Sequence, residues 1–112
     1  AFHSGLMEEA KIRLEKALST TELRASHIPC AMNTTGTFTH DVEEIRRLLG
    51  KQVTSSVLWH QCIQTCEGTG PSHFIEIGCG KTLSGLNKRI GVSVPTISIE
   101  TVEDISSLEQ IL

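Results

Sequence analysis

No apolar run in this sequence approaches the roughly 20 residues that a helix needs to cross a bilayer, which excludes a membrane-spanning helix. Lysine and arginine are nowhere clustered, and ten of them stand against thirteen acidic residues for a net charge of -3. The basic footprint that a nucleic-acid partner requires is therefore missing. No signal-peptide pattern opens the chain, and neither internal repeats nor low-complexity tracts interrupt it. The four cysteines, Cys30, Cys62, Cys66 and Cys79, contain no C-x-x-C pair, and in an ordinary composition, 38% apolar, they read as reduced core thiols rather than a disulfide framework. His60, Cys62, Cys66 and His73 invite comparison with a zinc site, but only Cys62 and Cys66 share a helical face, and His73 lies beyond a glycine-containing turn, so no metal is expected. What remains is one domain's length of soluble, intracellular protein, with neither nucleic acid nor membrane expected as a partner.

Two nucleotide motifs and one nucleophile motif are also absent, each narrowly. The stretch HFIEIGCGKTLSGL, residues 73–86, has a short apolar strand, a glycine turn and a Lys-Thr pair, as a phosphate-binding loop would. The P-loop needs a glycine five residues before Gly80, so that successive backbone N–H groups curl round the phosphates, and that position is Ile75. The dinucleotide pattern G-x-G-x-x-G fails at Leu83. G-x-S-x-G fails where Phe74 replaces the last glycine after Ser72, leaving no convincing serine nucleophile. Lying at the carboxyl end of a strand, the Gly78 turn is a place where parallel sheets bind ligands, although glycines there serve equally to let a strand turn sharply into a helix.

The periodicity alternates between helix and strand. Met7, Ala10, Leu14, Ala17 and Leu18 recur at helical spacing behind a Ser4 N-cap, predicting a helix over residues 5–18. Ile28 to Met32 predicts a buried strand, and Asp41 with Glu44 opens a second helix lined by Val42, Ile45, Leu48 and Leu49. A third helix is predicted over residues 56–67, a strand over 74–77, a helix over 81–90, a strand over 95–100, and a closing helix carrying Val102, Ile105, Leu108 and Ile111. Strands separated by helices predict an α/β fold with a parallel sheet.

An isolated histidine at a chain start, such as His3, is by itself an ordinary solvated side chain. Phe2-His3-Ser4-Gly5-Leu6-Met7, Ile28-Pro29 leading to Asn33, Gln52 seven residues before Trp59, and FIEIGCGKTLSGLNKRI over residues 74–90 together resemble the C-terminal part of malonyl-CoA:acyl carrier protein transacylases. The resemblance runs in order along essentially the whole chain. It implies a partial parallel sheet flanked by helices, the C-terminal part of the α/β-hydrolase-like core of an acyltransferase. It further implies that His3 is the general base that activates a serine, and that the Gln52 backbone carbonyl orients it. Phe2 then disfavours an α-methyl group on the acyl donor, and Asn33 is a weaker candidate for substrate contact. The implied reaction is malonyl transfer from coenzyme A to the phosphopantetheine thiol of acyl carrier protein in fatty acid biosynthesis, with malonyl-CoA as substrate and no bound cofactor.

The departures are local: Gly5 stands where a proline is common, and Cys79 replaces the usual proline between two glycines, each removing a φ restraint. More is missing than altered, since the family's oxyanion loop, serine elbow, malonate-binding arginine and ferredoxin-like subdomain would all lie upstream. Starting Ala1-Phe2-His3-Ser4 without methionine, residues 1–112 are expected to be a C-terminal segment of a larger enzyme, inactive without its N-terminal part. Its compartment would be a bacterial cytoplasm, a plastid or a mitochondrion. A non-catalytic interaction domain and a piece of a polyketide synthase are the alternatives.

Overall fold

The computed structural model describes residues 1–108 and divides the chain into two compact units, Ala1–Cys66 and a second beginning at Glu67. In the first unit, the 3₁₀ turn Gly5–Met7 leads into α1, Glu8–Thr20. The Ser4 hydroxyl accepts from the Leu6 N–H at 3.4 Å, and Glu8 and Glu9 lie in α1's first turn, where the macrodipole favours negative charge. At the other end of α1 the Arg46 guanidinium donates to the carbonyls of Leu18 and Thr21, tying α1 to α2, Val42–Lys51. The start of α2 follows the predicted capping logic: Asp41 Oδ1 accepts from the Glu44 N–H at 2.6 Å. Leu48 of α2, Met32, and Cys62 and Ile63 of α3, Trp59–Glu67, are the buried apolar residues of this unit.

The predicted buried strand over Ile28 to Met32 is corrected. Only Cys30–Ala31 form β1, paired antiparallel with β2, Phe38–Thr39, and Ile28 is exposed. The Met32 carbonyl accepts from Thr35 and Gly36 while its N–H reaches Thr37, so the threonine- and glycine-rich run closes a hairpin. Strands and helices therefore do not build a parallel sheet in this unit.

The second unit keeps the predicted plan. β3, Phe74–Ile77, and β4, Thr96–Ile99, pair in parallel from Phe74↔Thr96 to Ile77↔Ile99, joined through α4, Thr82–Ile90. α5, Val102–Leu108, opens with the Thr101 N–H donating to Asp104 at 2.8 Å; Ile111 lies outside the described residues. This is a mixed α/β fold with a small parallel sheet flanked by helices. At the start of α4 Leu83 is exposed, and the Ser84 hydroxyl turns inward to Glu76. Among the described residues no helix is long and apolar enough to cross a membrane.

Candidate active site

His3 and Gln52 stand 49 residues apart in sequence and meet in the first unit: His3 Nδ1 lies 2.8 Å from the Gln52 backbone carbonyl. A carbonyl oxygen can only accept, so the proton of this bond resides on Nδ1, and in the neutral ring Nε2 then keeps its lone pair. The His3 backbone is held as well, since its N–H donates to the Val53 carbonyl at 3.0 Å. These two bonds hold His3 at φ +62°, the left-handed region that a non-glycine residue adopts at a cost of order 1 kcal/mol and that recurs at functional sites.

Both carbonyls belong to one short element. α2 tightens at its end into the 3₁₀ turn Gln52–Thr54, where the Gln52 carbonyl also accepts from Ser55 at 3.3 Å. Gln52 is half-buried, and its side-chain Oε1 accepts from Asn33 Nδ2 at 3.1 Å. His3, Gln52 and Asn33 thus form one connected group, with Phe2 adjacent and 75% exposed. His3 is itself exposed.

The cysteines divide. Cys62 is buried and Cys66 half-buried, and burial pushes both thiols up, as inert packing groups. Cys30 and Cys79 are exposed, which corrects their reading as core thiols. Among the described residues no group of three potential ligands is placed to hold a metal.

In the second unit the glycine corner contains a residue that sequence reasoning missed. The Glu76 carboxylate is buried and accepts from the N–H groups of Leu83 and Ser84 at 2.8 and 2.9 Å, and from the Ser84 and Ser98 hydroxyls at 2.6 and 3.2 Å. The Ser84 hydroxyl and these donors hold its pKa down from 4.5 to about 2. It fills the anion position at the start of α4, which a nucleotide phosphate would need. The available signal was an acidic residue inside an otherwise apolar strand.

No protein-family model matches the chain. Malonyl CoA-acyl carrier protein transacylase of Staphylococcus aureus (strain COL) is 36% identical over 104 residues, 93% of this chain and 34% of that protein. The solved acyl-carrier-protein-S-malonyltransferase from Bartonella henselae superposes with a TM-score of 0.89 at 34% identity, covering 98% of this chain and 35% of that one. The chain belongs to the malonyl-CoA:acyl carrier protein transacylase family. It spans about a third of the length of the transacylases it matches. A malonyl-transacylase solved in complex with its type II PKS acyl-carrier protein is 28% identical with a TM-score of 0.85, over 98% of this chain and 36% of that one.

Proposed function

We propose that this chain supplies the general-base part of a malonyl-CoA:acyl carrier protein acyltransferase, as the C-terminal third of an enzyme whose serine lies outside these residues. The observation that carries the reading is the bond from His3 Nδ1 to the Gln52 carbonyl. It fixes the tautomer whose Nε2 can accept a proton, the role a carboxylate plays in a Ser-His-Asp triad.

The serine Oγ–H gives its proton to His3 Nε2 as Oγ bonds to the malonyl carbonyl carbon. The carbon–sulfur bond of the thioester then breaks, and the proton on Nε2 passes to the departing coenzyme A sulfur. In the second half the phosphopantetheine thiol gives its proton to Nε2, its sulfur attacks the acyl-serine ester, and the serine oxygen leaves with that proton. The exposed ring of Phe2 beside His3 disfavours an α-methyl group on the donor. Fatty acid biosynthesis is the pathway; a polyketide carrier protein is the second reading, favoured by the likeness to a transacylase held by such a partner. The chain alone is inactive, and its compartment is that of the fatty acid synthase it serves.

Radiolabelled malonyl transfer from coenzyme A to holo acyl carrier protein, by the full-length protein that contains this chain, tests the proposal. His3→Ala is expected to lower kcat about 10²- to 10⁴-fold, the usual worth of a general base. Undiminished transfer by that variant, or none by the unsubstituted enzyme, overturns the reading.

A further inference from the structure

We infer that Asn33 is a positioning residue of this site, one that acts on His3 through Gln52 and makes no contact with substrate. This rests on the acyltransferase reading for its kinetic consequences but not for its geometry.

The turn that presents both carbonyls to His3 is weakly held by its own backbone. It is a 3₁₀ turn, whose hydrogen bonds are poorer than those of an α-helix, and its closing bond, from Ser55 N–H to the Gln52 carbonyl, is long at 3.3 Å. Asn33 supplies the external hold at both ends of the following connection. Its side-chain N–H donates to Gln52 Oε1 at 3.1 Å, and its carbonyl accepts from the Leu58 N–H at 2.8 Å, at the threshold of α3. Residues 52–58 are thereby pinned at first and last position by a single residue that itself follows the buried Met32. Between those pins lie the Gln52 and Val53 carbonyls that fix the His3 ring and backbone. Asn33 is half-buried, and its amide is directed at Gln52.

Removing the Asn33 amide frees Gln52 to rotate, the carbonyl drifts from Nδ1, and the imidazole loses its fixed tautomer. Displacements of this kind at a reacting group cost about 100-fold in rate.

The experiment uses the full-length protein with ¹⁵N-labelled histidine, the His3 signals being identified by their loss in His3→Gln. In the unsubstituted protein His3 is expected as the Nδ1–H tautomer, and in Asn33→Ala as a mixture of both. Transfer kinetics should show kcat lowered about 10- to 100-fold with the KM for malonyl-CoA unchanged. Gln52→Met, which keeps the backbone carbonyl and removes Oε1, should reproduce both effects, and the double variant should be no worse than either single one. That pair also answers for Asn33→Ala should it fail to fold, because Gln52→Met breaks the same bond from the other side. A raised KM with kcat intact would make Asn33 a substrate contact and overturn the inference, as would an unchanged His3 tautomer. If the unsubstituted protein transfers no malonyl group, the functional reading falls while the tautomer still decides the role of Asn33.

Discussion

Glu76 carries a full charge into a buried position because the local backbone prepares four donors for it: two N–H groups from the first turn of α4 and two serine hydroxyls. Charge-assisted bonds of this kind are stronger than neutral ones, and leaving their donors unpaired in a buried place is costly. The sign of the pH effect follows from the lowered pKa. The unfolded chain binds the Glu76 proton near 4.5 and the folded one near 2, so the carboxylate stabilises fully above about 4.5 and loses that contribution as pH falls toward about 2. Glu76→Gln is expected to lower the thermal midpoint of the full-length protein by a gap that is constant above pH 5 and narrows below it, on the same linkage, by roughly pH 2 to nothing. Scanning calorimetry across that range decides the matter, since a gap indifferent to pH would mean that the charge itself is unimportant. His3 is the other residue held in an unusual state, with backbone and ring each bonded to one of two successive carbonyls.

Among the elements, the β1–β2 hairpin depends most on one residue. Gly36 closes its turn at φ +70°, and a Cβ there would lie 2.4 Å from Gln61 Cβ on α3. Gly36→Ala therefore meets both a left-handed backbone and a collision with a side-chain stem, and about 2 kcal/mol or more of destabilisation is expected, read from the urea midpoint at an unchanged slope. A loss below about 0.5 kcal/mol would show that α3 yields easily at this contact. The same hairpin marks where the sequence stopped being legible. Helix α2 and strand β3 could be read because a capping pair and a compact apolar run are local signals. The two-residue strands of the hairpin carry no periodicity, and their turn is written in threonines that read equally well as coil. The helix predicted over residues 5–18 matches the 3₁₀ turn Gly5–Met7 followed by α1, Glu8–Thr20, nearly to its ends. The His3–Gln52 contact had no local signal at all, and only family resemblance brought those residues together before the fold did. Asn33 likewise stands out only through that resemblance, and its bond to Gln52 depends on a turn whose shape the sequence does not announce.

At the scale of the whole molecule, large apolar side chains lie open in each unit. Phe2, Leu6 and Ile28 in the first, and Ile77 and Val102 in the second, are all at least three-quarters exposed. β3 and β4 pair with each other alone among the described residues, and two strands are too few to be stable by themselves. On the proposed reading of the chain as part of a transacylase, such faces suit contact with the part of that enzyme outside these residues. The chain produced alone is accordingly expected to self-associate, with a sedimentation mass that rises with concentration, and Ile77→Lys should reduce it. A strictly monomeric 12.2 kDa species at all concentrations would contradict this. The filled corner at α4 has a bearing on how such a motif is read. The last three letters of a nucleotide loop, Gly80-Lys81-Thr82, can thus stand at a strand-to-helix corner where an acid two positions before the first glycine swings back into the helix start as a resident anion. With Glu76 there, the donors that would hold a phosphate at the start of α4 are already taken by the chain's own charge.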